Sequence, residues 1–219
     1  PVFVSRWRTD LSGASNNDQI LLPLSSTGTY NFTVHWGDGT NDTITQWNQT
    51  ETLHTYSSPG TYQINITGTI NGFGFGNEGT PFDYMDDYDD GDKLLEIQNW
   101  GPVQLADGGF QFAHAENFDI TATDAPGLNG VSNLEYMFYE AHNMNANLSH
   151  WDTSDVNFMN CLFCSALQFN NDVSGWDTSN VVTMQNMFWN ATNFDGDVGA
   201  WDTSNVTNMR YMFEDAPSF

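Results

Sequence analysis

The sequence predicts a mainly β protein with short helices: an N-terminal β-sandwich followed by a β/α solenoid. Three observations carry that expectation. A 25-residue repeat fills the second half, with Trp-Asp-Thr-Ser-Asp/Asn-Val beginning at Trp151, Trp176 and Trp201. A fixed period of this kind marks stacked structural units that bury their apolar faces on one another. The first third instead alternates apolar and polar residues with a period of two, the pattern of half-buried strands. Turn-forming Gly, Asn, Asp, Ser and Pro punctuate both parts.

Residues 1–80 are expected to form the sandwich. Tyr30, Phe32, Val34 and Trp36 alternate with Asn31, Thr33 and His35, and Tyr62, Ile64 and Ile66 alternate with Gln63, Asn65 and Thr67. Further strands are expected at 2–7, 19–24, 42–47 and 52–56. Gly37-Asp38-Gly39 and Ser58-Pro59-Gly60 supply the turns. Short strands so spaced suggest an antiparallel sandwich. Trp36-Gly37-Asp38-Gly39-Thr40, followed by His54-Thr55-Tyr56-Ser57-Ser58-Pro59-Gly60-Thr61-Tyr62-Gln63-Ile64, resembles the polycystic-kidney-disease (PKD) domain pattern. That resemblance implies an immunoglobulin-like sandwich serving as an extracellular spacer or interaction domain.

Residues 81–93 form an acidic junction. Two readings apply to the run from Asp83 to Asp92. Asp87, Asp89, Asp90 and Asp92 could supply the oxygens of a Ca²⁺ loop. The EF-hand spacing fails, because Tyr88 falls at a ligand position and no Glu closes the loop. A solvated linker extended by its own repulsion is the favoured reading. No other cofactor is expected.

Residues 94–219 are expected to form the solenoid, with a degenerate cap at 94–125, repeats at 126–150, 151–175 and 176–200, and a truncated repeat at 201–219. Met159, Met184 and Met209 share one register; so do Phe163, Phe188 and Phe213, and Phe169, Phe194 and Phe219. Val206, Met209, Met212, Phe213 and Ala216 fall on one face of a helix, and Thr203-Ser204-Asn205 before them is a cluster of N-cap residues. The segment from Asp172 to Trp176 reads as a strand, stacking in parallel about 4.8 Å from its counterparts. Residues 94–101 are the candidate first strand. A start at Pro1-Val2 and a stop within a repeat suggest a longer natural product. Trp100-Gly101, Ala122-Thr123-Asp124-Ala125-Pro126 and the recurrent Trp-Asp-Thr-Ser-Asn-Val-x-x-Met-x-x-Met-Phe-x-x-Ala-x-x-Phe resemble the BspA-like surface-protein repeat family. The resemblance implies a leucine-rich-repeat-like fold, display on a cell surface, and adhesion.

Composition excludes several functions. Four Lys+Arg against 28 Asp+Glu give a formal net charge of -24, which repels nucleic acid and anionic membranes alike. No apolar stretch is long enough to span a membrane. His35, His54, His114, His142 and His150 are scattered, and neither a metalloprotease motif nor a nucleophile elbow occurs. Catalysis is therefore not expected. Trp151, Trp176 and Trp201 form either a packing ladder, the favoured reading, or an aromatic platform for ligands. Asp152, Asp177 and Asp202 form a column of like charges, compensated by N–H bonds from the residues that follow them. Cys161 and Cys164 are candidates for a disulfide or for core thiols. Sequons at Asn31, Asn41, Asn48, Asn65, Asn147, Asn190 and Asn205 are candidate glycosylation sites.

The expected function is an extracellular, secreted or cell-surface protein that binds protein or glycan through its repeats. The alternative is a structural subunit that self-associates in a surface layer, filament or virion appendage.

Overall fold

The computed structural model describes residues 1–76 and 89–219. The fold is mainly β. Among the described residues nine strands occur in chain order: β1 Phe3–Arg8, β2 Gln19–Leu21, β3 Leu24–His35, β4 Asn41–Ile44, β5 Leu53–Thr55, β6 Thr61–Phe73, β7 Leu94–Asn99, β8 Val103–Leu105 and β9 Asp119–Ile120. Seven of them make one sheet, ordered β4-β3-β6-β1-β7-β9 with β8 beside β6; β2 and β5 make a second.

Alternation dictates the strands. In β1, Phe3, Ser5 and Trp7 are buried while Arg6 and Arg8 face solvent. Strand β1 lies antiparallel between β6 and β7. Pairing turns parallel where the repeats begin, at β7–β9 and β6–β8. Successive coils of a repeat run in one direction, so their strands can only pair in parallel. The sheet thus runs without a break from the first third of the chain into the repeats. The core is equally continuous: Phe3 contacts Phe73, Phe73 contacts Phe112, and Phe112 contacts Trp100, at centroid distances of 5.1, 6.3 and 5.8 Å.

The turn after β3 gathers the residues of the Trp-Gly-Asp-Gly and His-x-Tyr patterns. Gly37 has φ +86°, and a Cβ there would lie 2.5 Å from the Gln63 carbonyl oxygen, so only glycine fits. His54 stacks on Trp36 at 4.5 Å, and the Tyr56 hydroxyl donates to the Trp36 carbonyl at 3.0 Å. Asp38 accepts from the Thr40 N–H and hydroxyl and pairs with His54 Nε2 at 2.9 Å.

The only lysine, Lys93, is fully buried. Its ammonium donates to the carbonyls of Ser15, Asn16 and Gln19 at 2.9, 2.9 and 3.1 Å, and lies 3.5 Å from Asp90. Burial pushes its pKa down, while Asp90 opposes the shift. Asp90 in turn accepts from the Ser15 and Leu21 N–H groups at 3.0 and 2.7 Å, pinning the loop before β2.

The repeat half stacks coils of 25 residues. Parallel bridges link Asn133 to Phe158, Phe158 to Thr183, and Thr183 to Asn208. Phe138, Phe163, Phe188 and Phe213 form a column with centroids 5.5, 5.3 and 5.5 Å apart. Phe169, Phe194 and Phe219 form a second, at 5.8 and 5.9 Å, and within each coil the two columns touch.

Two expectations are corrected here. The short helices are not formed: among the described residues only 3₁₀ turns occur, at Thr50–Thr52 and Gly91–Lys93. The backbone bonds explain why. The N–H groups of Met159, Cys161, Phe163 and Ser165 leave their coil for the carbonyls of Thr183, Gln185, Met187 and Trp189, at 2.8–3.1 Å. Only the interleaved Leu162, Cys164 and Ala166 bond locally, three residues back. Cys161 and Ser165, with φ 54° and 55°, turn alternate amides outward. An α-helix needs every amide bonded four residues back, so none can form. The strand expected from Asp172 to Trp176 is also missing. Asp172 there accepts the Ser174 N–H at 2.9 Å in a side-chain-closed turn, and the bridges instead run through the position of Phe158 and Thr183.

Candidate functional site

The outward side of the coil stack is a set of polar columns at one-coil spacing. Asp152, Asp177 and Asp202 each accept the N–H of the Ser two residues on, at 3.2, 3.0 and 2.9 Å. Hydrogen bonds from Ser154, Ser179 and Ser204 hold these carboxyls below the usual carboxylate range. The compensation expected for the column is therefore local and comes from the serines. A second column, Asn147, Asp172 and Asp197, repeats the turn with Ser149, Ser174 and Gly199.

A third column binds coil to coil. The side-chain oxygens of Asp119, Asn145 and Asn170 accept the backbone N–H of Asn145, Asn170 and Asp195 at 3.0, 2.9 and 2.8 Å. Sequence reasoning missed this ladder. Its signal was present, as an Asp or Asn recurring every 25 or 26 residues, hidden among the many others of the chain. Asp124 was also missed as a structural group. Its carboxylate accepts the N–H groups of Trp100 and Gly101 at 2.9 and 2.8 Å, so the Trp-Gly and Thr-Asp-Ala-Pro segments are two halves of one contact.

The tryptophan ladder belongs to the packing. Trp151, Trp176 and Trp201 are all buried. Trp176 and Trp201 stack at 6.2 Å with planes 3° apart, and donate their indole N–H to the Leu148 and Val173 carbonyls of the preceding coil. Buried rings present no platform to an external ligand. Cys161 and Cys164 are joined by a disulfide and are likewise buried.

Of the Ca²⁺ candidates, Asp87 lies outside the described residues. Asp90 is turned inward to Lys93, while Asp89 and Asp92 accept the N–H groups of Gly91 and Glu116. Among the described residues no three or more His, Cys, Asp or Glu gather to hold a metal. The sequon asparagines divide by use. Asn31, Asn41, Asn48 and Asn147 are exposed, and Asn65 is half-buried. Asn190 and Asn205 donate their amides to Ser165 and to the Ser179 carbonyl, so a glycan there would cost an inter-coil bond.

His114 faces Glu140 at 3.0 Å and His142 faces Glu116 at 3.5 Å, crosswise between adjacent coils. Each pair links one coil to the next. Among the described residues, no helix is long and apolar enough to cross a membrane.

Coils of one register, bonded to one another through their backbone and carrying polar columns outside, define a repeat protein. Residues 97–219 match the family described as Mycoplasma protein of unknown function, DUF285, and the chain belongs to that family. No curated protein and no solved structure matches it. The match opens at Ile97 within β7, so the first strand of the family region is paired by β1 from outside it.

Proposed function

We propose that this chain is an extracellular, non-enzymatic surface protein that adheres to a protein or glycan through the outward face of its repeats. In this reading a PKD-like sandwich carries a BspA-like, leucine-rich-repeat-like solenoid. The observation that carries it is the division of the coils. Aromatic columns fill the interior, and exposed polar columns repeat outside at one-coil intervals. Such a surface is extended and preorganised, which lowers the entropic cost of binding a large partner. The family membership and the disulfide support display outside the cell.

Light scattering on the full chain, joined to interferometry against immobilised fibronectin, collagen and mucin, tests the reading. A monomer that binds one of them saturably, and loses binding in Asp152→Asn/Asp177→Asn/Asp202→Asn, is the expected result. Asn keeps the turn bonds and removes only charge. Self-association that persists on dilution, without binding, would favour a structural subunit instead.

A further inference from the structure

The N-terminal sheet carries a second feature that the repeat surface does not explain. Trp47 is 46% exposed, the one Trp among the exposed large apolar residues described. Trp7, Trp36, Trp176 and Trp201 each donate their indole N–H to a protein oxygen. Trp47 projects from the loop between β4 and the 3₁₀ turn at Thr50–Thr52.

That loop is built rather than slack. The Gln49 side chain accepts the Thr45 N–H at 3.0 Å and donates to the Thr43 carbonyl at 2.8 Å, bracing the loop across its base. The Gln49 carbonyl accepts from the Thr52 N–H and hydroxyl at 3.0 and 2.8 Å. Bracing of this kind holds the ring partly in solvent, where one of its faces is open to a ligand.

Beside the ring lies a cleft of about 260 Å³, lined on one wall by Thr45, Gln46 and Asn48 and on the other by Gly28, Thr29 and Tyr30. The Tyr30 hydroxyl, held by the Ser25 and Gly72 carbonyls at 2.8 and 3.0 Å, fixes the far wall. No lining residue is charged. One flat apolar face, two side-chain amides and two threonine hydroxyls are the complement of a pyranose. Its axial C–H face lies on an aromatic ring while its hydroxyls meet amides. An anionic sugar is disfavoured, because the net charge is -24 and no Lys or Arg lines the cleft. A cationic ligand finds no carboxylate in it.

We propose that Trp47 and the cleft bounded by Gln46, Asn48 and Thr29 form a binding site for a neutral saccharide, separate from the repeat surface. This does not depend on what the repeats bind.

The test follows the indole N–H signals of the ¹⁵N-labelled full chain during titration. The probes are cellotetraose, mannotetraose and the N-acetylglucosamine tetramer, with a hyaluronan tetrasaccharide as the anionic comparator. At least one neutral probe is expected to shift the Trp47 signal saturably. Trp47→Ala should weaken that binding about tenfold or more, and Gln46→Ala measurably, with unfolding temperature unchanged. Both side chains are exposed, so neither variant threatens the fold. The proposal is overturned if no neutral probe moves the Trp47 signal at millimolar concentration. Binding that survives Trp47→Ala, or a preference for hyaluronan, overturns it equally.

Discussion

Phe163 and Phe188 lie one coil apart with ring centroids 5.3 Å from each other and planes 7° from parallel. The separation exceeds the inter-strand distance of about 4.8 Å, so the rings slide past one another into an offset stack, which their quadrupoles favour over a sandwich. Phe188 also meets Phe194 at 3.9 Å and Phe213 at 5.5 Å, and it is wholly buried. Truncating it opens a void that rigid neighbours on both sides cannot fill. Phe188→Ala should lower unfolding free energy by about 3–5 kcal/mol in urea titration. Phe219→Ala, at a ring 52% exposed, should cost clearly less. Equal losses would show that the column does not act as a shared core.

Lys93 and Asp90 are both withdrawn from solvent. Removing one leaves an uncompensated buried charge, a loss of about 3–5 kcal/mol. Lys93→Met is expected to fall in that range. The double variant Lys93→Met/Asp90→Asn should recover part of it, because the buried charge is gone, although the one amide oxygen of Asn can replace only one of the two carboxylate oxygens that accept from the Ser15 and Leu21 N–H groups. An amine-reactive reagent should leave Lys93 of the native chain unlabelled and modify it once urea unfolds the protein.

The disulfide closes a loop of only three residues' separation. In the chain-entropy account such a loop contributes about 2 kcal/mol. Cys161→Ser/Cys164→Ser should lower stability by no more than that and leave the aromatic columns in place. Both sulfurs are buried, so alkylation after mild reductant should label neither cysteine until the coil opens. Labelling of the native protein would contradict the burial.

The Asp38 turn should lose stability in acid. Burial alone would raise the Asp38 carboxyl, yet hydrogen bonds from Thr40 and His54 bring it to about 2, from an ordinary 3.8. A folded value below the unfolded one stabilises above the unfolded value, and that gain is lost as pH falls through the folded one. The unfolding temperature of the wild type should therefore exceed that of Asp38→Asn above about pH 4, and the gap should close between 3.8 and about 2. A gap independent of pH would mean that the carboxylate contributes only its shape.

Much of this architecture was legible before any coordinate. Period-two alternation located the strands around Phe32 and Ile64 because one face of a sheet is wet and the other dry. The 25-residue register placed Phe163 beside Phe188 because equivalent positions on stacked coils must be neighbours. The outward column at Asp152, Asp177 and Asp202 followed from the same register, whereas the one through Asp172 did not, because that segment reads as a strand. The helix expected at Val206 to Ala216 failed for a physical reason. Spacings of three and four identify residues that share a face, and a tight coil shares faces in the same way as a helix. What separates them is the destination of the amides: in the coil of Cys161 every second one goes to the next coil, and the others bond three residues back rather than four.

The sequence by itself determined the period, the strand faces, the acidic surface and the identity of the interior rings. All of these rest on local pattern and composition. Only the tertiary structure decided that β1 joins the two halves in one sheet, that Asp124 closes on Trp100, and that the indoles of Trp176 and Trp201 turn inward. It also set Trp47 outward in a braced loop beside an uncharged cleft. Those are relations between residues distant along the chain, and hydrophobicity, being indifferent to direction, cannot specify them.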